Sequence, residues 1–521
     1  MDGKPLGEKN PKWLQDDYVK FLRFAQWKIH KTGRGIVAMI TNHGYLDNPT
    51  FRGMRQMLLQ TFDEVYLLNL HGNSLKRETA PDGSADENVF DIRQGVAITL
   101  LVKHGDGKRS GVYHADLYGL REEKYRWLET HDLTSAGYQP VQPAPPSYFF
   151  VPRQTQGVQN YLSWPQITEI FPVNSVGIVT ARDNLTIHWT ANEAWTTVLT
   201  FSQMDAELAR QAYQLGKDAR DWKVLLAQQD LKRDGGPHKD KVVPILYRPF
   251  DVRYTYYTGR LRGFHCMPRP EIMHHMLAGE NMAIMTCRQL SQTQWSHALV
   301  SDKITDDCMV SNRTRERGYL FPIYLYPSTE SPDMFHQVRK PNLAEWLLPK
   351  LAAAYGFTPK PEEVLAYIYA VFYSPAYRQK YAEELRVDFP RVPFTADSEL
   401  FKRVAVLGQE LIDLHLLRRV PQPPLVKYQG DGSDKIEFVR YNDQSGQVAI
   451  NPDKYFQGIT PQMWEYQIGG YQVLEKYLKD RKGHLMDDPV RYIHIATAIA
   501  HTINLQDQID VIYQQVEAKV L

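Results

Sequence analysis

The sequence predicts a partial Rossmann-like α/β domain over residues 1–138, followed by an α+β domain and a mostly helical tail. An amphipathic helix, Asp16–His30, precedes a short apolar run, Ile36–Thr41. Two further apolar runs of strand length follow at Glu64–Leu70 and Gly95–Lys103. Helices alternating with buried strands are typical of α/β folds, so these elements predict a sheet covered by helices.

Each predicted element rests on a local pattern in the sequence. The first helix carries apolar side chains at i, i+3, i+4 and i+7 spacing, namely those of Tyr18, Phe21, Leu22, Ala25 and Ile29. The run Ile36–Thr41 is almost continuously apolar, which favours burial on both faces. Between the last two strands lies a polar segment, Gly72–Gln94, without a helical pattern. The last strand is therefore expected to insert antiparallel beside its predecessor.

Proline-rich stretches divide the chain. Residues 139–147 read as a stiff linker, and Pro421–Pro424 marks a second boundary. The predicted domains are 1–138, an α+β domain at 148–420 that contains a strong helix at Pro361–Tyr373, and the mostly helical segment 421–521.

Composition limits the functions that are open to the chain. The 521 residues are 43% hydrophobic and 23% charged, with a formal net charge of +1, so a DNA-binding surface has to be local. The three cysteines form no closely spaced pair, and no metal site is predicted. No stretch approaches the ~18 apolar residues that a membrane span needs, so we expect a cytoplasmic protein without a membrane partner.

Several motifs that carry catalysis are missing. The sequence has no GxGxxG turn after a strand, no P-loop, no HExxH and no serine nucleophile elbow. No catalytic residue is therefore predicted.

One loop borders a candidate site. Asn42 and His43 follow the first strand, and the carboxyl ends of strands face the ligand crevice in open α/β sheets. These two residues are predicted to border an active site, with a simple turn as the alternative.

The best local signal for DNA lies in Ile245–Leu320, which holds nine Arg and one Lys against seven Asp or Glu. Arginine binds guanine and phosphate in a bidentate way, and glutamine reads adenine edges. The predicted DNA-binding residues are Arg248, Arg253, Arg260, Arg262, Arg288, Gln289, Gln292, Arg313 and Arg315. We expect them to share one concave face with the interleaved aromatic residues; the alternative is ordinary solvated arginines and structural ion pairs.

Several stretches resemble the type ISP restriction–modification family and related large adenine-specific DNA methyltransferases. The resemblance to the end of a methyltransferase domain rests on DDYVKFLRFAQWKI, GIVAMITNHGYLDNPTFRGMRQ, DEVYLLNLHGN and FDIRQGVAITLLVK. YRPFDVRYTYY and YIYAVFYSPAYRQKYAEELRVDFPRVPF resemble the target-recognition (specificity) region, and MWEYQIGGYQVLEKYLKDRKG resembles the carboxy-terminal specificity segment.

This resemblance implies a function in sequence-specific recognition of double-stranded DNA. The complete enzyme transfers a methyl group from S-adenosylmethionine to the exocyclic amine of a flipped adenine, which an Asn-Pro-Pro-Tyr clamp holds. This chain lacks that clamp and the donor-binding turn. We therefore expect it to bind no cofactor alone and to depend on an upstream methyltransferase, helicase and nuclease polypeptide. An inactive remnant or an interaction protein without DNA binding is the alternative.

Overall fold

The computed structural model describes residues 12–74, 78–105, 111–145, 147–152, 158–290, 294–313, 316–327 and 339–521. The chain divides into two compact units, unit 1 (Met1–Val158) and unit 2 (Gln159–Leu521). In the described ranges, no helix has both the length and the apolar character that crossing a membrane requires.

Unit 1 contains a five-stranded mixed sheet. Its strands are β1 (Gly35–Asn42), β2 (Glu64–Asn69), β3 (Val96–Lys103), β4 (Gly111–Asp116) and β5 (Gln139–Val141). Its helices are α1 (Asp17–Thr32), α2 (Arg52–Thr61) and α3 (Arg121–Thr130), with 3-10 turns at Lys12–Gln15, His43–Tyr45 and Pro49–Phe51.

The strand order is β1-β3-β2-β4-β5. Strand β3 pairs antiparallel with both β1 and β2, while β2 and β4 are parallel. The predicted antiparallel insertion of the last strand beside β2 is confirmed. Strands β1, β2 and β4 therefore run in the same direction, and their carboxyl ends lie at one edge of the sheet.

One expectation about burial in unit 1 is wrong, and one residue of the predicted apolar face of α1 is exposed. Strand β1 is not buried on both faces: its pattern alternates, and Ile36 is 65% exposed. In α1, Leu22 is buried, but Phe21 is 61% exposed. Part of the apolar surface that the sequence predicts to be internal therefore faces solvent. The other edge of β1 has no partner strand among the described residues.

Unit 2 combines small sheets with many helices. Its strands are β6 (Ser175–Val176), β7 (Val242–Arg248), β8 (Asp251–Tyr256), β9 (Ala283–Cys287), β10 (Ala298–Ser301), β11 (Ile304–Thr305), β12 (Gly318–Pro322), β13 (Tyr324–Leu325), β14 (Lys340–Pro341), β15 (Lys427–Gln429), β16 (Arg440–Asn442), β17 (Gln447–Ala449), β18 (Tyr455–Gln457), β19 (Gln467–Ile468) and β20 (Tyr471–Gln472). Its helices are α4 (Val158–Ser163), α5 (Ile167–Ile170), α6 (Asp183–Thr186), α7 (Ala191–Gln203), α8 (Ala206–Ala212), α9 (Val224–Lys232), α10 (Pro270–Leu277), α11 (Leu347–Tyr355), α12 (Pro361–Tyr373), α13 (Pro375–Lys380), α14 (Ala382–Val387), α15 (Ser398–His415), α16 (Pro461–Glu465), α17 (Val473–Lys479) and α18 (Pro489–Ala518).

Helices α12, α15 and α18 form the centre of the unit 2 core. Every residue of α12 from Val364 to Tyr373 is buried. The same core includes Val404 of α15 and Ile495 of α18. Residues beyond 421 thus share a core with those before it, and the described part of the segment 421–521 has no separate hydrophobic cluster.

A glycine permits the close crossing of α12 and α15. A Cβ atom on Gly408 would lie 1.8 Å from the backbone oxygen of Ala366. We expect Gly408→Ala to force the helices apart and to lower the free energy of unfolding by about 1–3 kcal/mol, despite the better helix propensity of alanine. Urea denaturation measures the change. Val406→Ala, on the exposed side of α15, is the control and should change stability by less than about 0.5 kcal/mol. An equally stable Gly408→Ala variant would contradict this packing.

Candidate functional site

The arginine-rich motif around Tyr247 forms the hairpin of strands β7 and β8. Arg248 ends β7, and Arg253 lies within β8. Phe250, at the turn, has a φ of 61°, a left-handed conformation that is uncommon for a bulky residue. This tight turn brings Arg248 and Arg253 close to the Tyr247 ring.

These residues continue into an alternating column, which we call the arginine–aromatic stack. The guanidinium carbon of Arg248 lies 3.7 Å from the centre of the Tyr247 ring, and that of Arg253 lies 4.4 Å from the same ring. Arg253 also lies 3.8 Å from the Trp189 ring. The column continues through Arg481, which is 4.8 Å from the Trp189 ring and 3.6 Å from the Tyr477 ring. Cation–π contacts therefore join the β7–β8 hairpin to the end of α17.

Two buried aspartates balance the charge of the stack. Asp251 accepts from Arg253 at 2.9 Å and from Arg481 at 2.7 Å. Asp306 accepts from Arg248 at 2.6 Å. The side chains of both aspartates are at most 4% exposed. Each guanidinium of the stack thus has a carboxylate partner inside the protein.

Burial and pairing shift the pKa values in this cluster. Burial opposes ionisation of Asp251, but Arg481 and Arg253 together lower its pKa below the ordinary value. At Asp306, burial dominates over the attraction of Arg248 and raises the pKa to about 7, with a further contribution from Asp307. Asp251 is therefore a permanent anion near neutral pH, whereas Asp306 titrates there.

The predicted contact of Arg248 and Arg253 with DNA stays a prediction. Their side chains are only 11% and 12% exposed, and their guanidinium groups are engaged by internal carboxylates and rings. A duplex cannot reach them without breaking these contacts. These internal contacts favour the alternative of structural ion pairs for this motif.

The other predicted DNA-binding residues lie at several places in unit 2. Arg260 is half-buried and pairs with Asp230 and Asp234. Arg262 is 57% exposed and pairs with Asp221 at 3.1 Å. These ion pairs match the alternative that the sequence left open, but Arg262 remains accessible to a ligand.

Arg288, Gln289 and Arg313 are half-buried. Arg288 pairs with Asp388 at 3.0 Å, and Gln289 lies against the same segment. Gln292 and Arg315 lie outside the described residues. The role of these residues in DNA binding stays a prediction.

The loop predicted to border an active site lies at the carboxyl edge of the unit 1 sheet. The Asn42 side chain accepts from the backbone N–H of Gly44 at 2.7 Å and so starts the turn. His43 is buried, and its Nδ1 lies 2.9 Å from Oδ1 of Asn69, the last residue of β2. The structure thus places His43 at an internal position and Asn42 in a turn.

A polar network that the sequence analysis missed surrounds His43. His71 follows β2; its Nδ1 lies 2.9 Å from Glu78, and its Nε2 lies 2.8 Å from Asp116, which ends β4. His114 contacts the same carboxylate at 2.9 Å. The positions of His71 and Asp116 at strand ends could have indicated this network. Glu78 could not, because it comes from the polar segment Gly72–Gln94, which shows no helical pattern.

Electrostatics hold this network together. Burial alone would lower the pKa of His71, but Asp116 and Glu78 raise it above its ordinary value. Burial likewise opposes ionisation of Glu78, yet its contacts with His71 lower its pKa to about 2. The two carboxylates thus favour the protonated form of His71.

Comparison with known proteins identifies the family. Residues 169–509 match the Type ISP C-terminal specificity domain. The chain belongs to this family. No curated protein matches the chain.

Three solved structures share the fold of this Type ISP chain over nearly its whole length. They are the ATP-dependent Type ISP restriction–modification enzyme LlaBIII bound to DNA (22% identity, TM-score 0.71, 96% of this chain and 34% of that chain), the DrdV–DNA complex (22%, 0.69, 98% and 53%), and a nuclease-deletion mutant of the Type ISP enzyme LlaGI in complex with a DNA substrate mimic (20%, 0.67, 96% and 49%). The chain thus spans from about a third to about half of the length of these relatives. At these identities the likeness concerns the fold.

Proposed function

We propose that this chain recognises a specific sequence of double-stranded DNA as the specificity part of a Type ISP restriction–modification system. The observation that carries the proposal is the family match, which covers residues 169–509 and thus most of unit 2. The similar fold of three proteins whose structures were solved with DNA or a DNA mimic supports it.

Selection from a pool of duplexes with a randomised segment tests sequence recognition. The chain should enrich one motif over successive rounds, since specific affinities exceed non-specific ones by several orders of magnitude. Recovery of random sequences, or of no DNA, would contradict the proposal.

Three of the predicted DNA-binding arginines carry a separate prediction. Arg262→Ala, Arg288→Ala and Arg313→Ala should each weaken binding and reduce the dependence of log K on log salt by about 0.9 for each phosphate contact that is lost. Fluorescence anisotropy at a series of salt concentrations measures this slope. The control is Arg419→Ala, because the Arg419 side chain is 85% exposed. Slopes equal to that of the unmodified chain in all three variants would exclude these arginines from the interface.

We further propose that a complete enzyme containing this chain methylates adenine. An antiparallel strand inserted between parallel ones, as β3 is between β1 and β2, suits the end of a methyltransferase sheet. The burial of His43, His71 and Asn73 at the carboxyl edge, where an open α/β sheet holds a ligand, supports the proposal that this chain alone does not bind S-adenosylmethionine. The methyl donor would therefore bind to a polypeptide supplied separately.

Mixing experiments test this dependence. The chain should transfer no labelled methyl group alone, and should methylate adenine when combined with an upstream polypeptide that carries the donor-binding turn and base clamp. The edge of β1 that has no partner strand among the described residues offers a place for such a polypeptide to add a strand. Absence of transfer with that polypeptide would leave DNA recognition as the function.

The internal pairing of Arg248 and Arg253 favours a second candidate, an interaction protein without DNA affinity. The two candidates differ in salt dependence, because a protein that contacts several phosphates loses affinity steeply as salt rises. The absence of salt-sensitive binding at low ionic strength would favour the second candidate.

A further inference from the structure

Three side chains at the carboxyl edge of the unit 1 sheet have the arrangement of metal ligands. Nitrogen atoms of His43 and His71 and a carboxylate oxygen of Glu78 all lie within 4.8 Å of one another. His43 and His71 are both buried, and the Glu78 side chain is 20% exposed. Two imidazoles and one carboxylate are the protein ligands of several three-ligand zinc sites and of facial-triad iron sites.

The other ring nitrogens of the two histidines have the kind of hydrogen-bond partner that usually supports a metal ligand. The Nδ1 of His43 lies 2.9 Å from the Asn69 oxygen, so a proton on Nδ1 leaves the Nε2 lone pair to accept from Asn73 at 3.3 Å. The Nε2 of His71 lies 2.8 Å from Asp116. A carboxylate or amide oxygen behind a ligating histidine fixes its tautomer and its orientation. His43 Nε2 and His71 Nδ1 therefore converge on the same point.

Glu78 is held in place in a similar way. One carboxylate oxygen accepts from the backbone N–H of Asn73 at 3.0 Å, while the other lies 2.9 Å from His71 Nδ1. Donor atoms of neighbouring ligands around a tetrahedral zinc ion are about 3.3 Å apart, from metal–ligand distances of about 2.0–2.1 Å. The pair needs to open by only a few tenths of an ångström to admit an ion.

We propose that His43, His71 and Glu78 bind one divalent transition-metal ion of the Zn²⁺ class. The ion takes the place of the proton between His71 Nδ1 and Glu78, and this proton passes to solvent. The Asn73 amide turns away from His43 Nε2. A second group of potential ligands in the described ranges, Asp306, Asp307 and Cys308, is less suited, because Arg248 and Arg317 already pair with its carboxylates.

The ion would join three segments of unit 1. His43 follows β1, His71 follows β2, and Glu78 belongs to the polar segment Gly72–Gln94. This is a structural metal site that holds the polar segment against the sheet edge. The proposal is independent of DNA recognition, because its ligands all lie in unit 1.

Metal titration of the untagged full chain after chelator treatment tests the site. Zn²⁺ should bind with a stoichiometry of one per chain and raise the Tm, while Mg²⁺ and Ca²⁺, which prefer all-oxygen sites, should do neither. Co²⁺ should give the visible absorption of a four-coordinate nitrogen and oxygen site.

Variants locate the bound ion. Glu78→Gln, which removes a ligand charge, and Asp116→Asn, which removes the support of His71, should lower Zn²⁺ affinity, the latter by about 10- to 100-fold. His104→Ala is the matched control, since it removes another His–Glu pair of unit 1, with Glu64 at 2.9 Å. Circular dichroism verifies that each variant folds.

Two outcomes would overturn the proposal. One is less than one Zn²⁺ per unmodified chain with no Co²⁺ spectrum, a result that needs no variant. The other is Zn²⁺ affinity in folded Glu78→Gln and Asp116→Asn chains equal to that of the unmodified chain, which would assign the ion to adventitious surface histidines.

Discussion

Replacement of Asp251 with alanine is expected to lower the free energy of unfolding by about 3–5 kcal/mol, as removal of one partner of a buried ion pair does. The variant leaves two buried guanidinium groups, those of Arg253 and Arg481, without the carboxylate that both contact. An arginine side chain does not deprotonate in a protein, so neither residue can shed its charge. The stack that joins the β7–β8 hairpin to α17 should therefore loosen. Urea denaturation measures the loss.

Asp221 provides a matched control because it too contacts two arginines. Its partners Arg220 and Arg262 are 84% and 57% exposed, so water takes over their solvation when the carboxylate is removed. Asp221→Ala should leave the denaturation midpoint nearly unchanged. Equal effects of the two substitutions would show that the arginine–aromatic stack contributes no more than a surface ion pair.

Replacement of Arg248 with alanine should have a large effect that depends on pH. The variant leaves Asp306 buried without its cation, and we expect a loss of about 3–5 kcal/mol at pH 8. Burial already raises the pKa of Asp306 to about 7 beside Arg248, and without Arg248 the pKa rises further. At lower pH the carboxyl group of Asp306 then keeps its proton, which avoids part of the free-energy cost of a buried and unpaired charge.

The sign of the pH dependence follows from proton binding. A raised carboxyl pKa means that the folded chain retains a proton that the unfolded chain has released, so this group lowers stability as pH increases from about 4. In the unmodified chain that decrease ends near pH 7, whereas in Arg248→Ala it continues. The stability difference should thus widen by up to about 1.4 kcal/mol per pH unit above pH 7. A difference that is constant between pH 5 and pH 8 would contradict the assigned burial of Asp306.

Local patterns predicted the elements of the fold well. The helix at Pro361–Tyr373 has the predicted bounds, and β1, β2 and β3 fall on the three apolar runs. These elements were predictable because helical spacing and short apolar runs bounded by polar residues are local signals. The exposure of Phe21 and Ile36 was not predictable, since burial depends on which surfaces pack together and not on the residue's own type.

The internal partners of the arginines were not predictable for a related reason. Arg248 meets an aspartate 58 residues away, and Asp251 meets Arg481 at a separation of 230 residues. A count of charges within Ile245–Leu320 does not reveal that the carboxylates of Asp251 and Asp306 are buried beside the arginines. Likewise, His43 was predicted to border a site, but its neighbours His71 and Glu78 come together only when the strands assemble.

Arginine-selective labelling with phenylglyoxal, analysed by mass spectrometry with and without duplex DNA, tests the central claim most directly. If the arginine–aromatic stack is an internal scaffold of a DNA-specificity protein, Arg248 and Arg253 should stay unlabelled in the folded chain under both conditions. Arg262 should be labelled in the free chain and protected by a duplex that carries the selected motif. Labelling of Arg248 and Arg253 in the free chain, lost when DNA is added, would contradict this account and place these residues in the DNA interface.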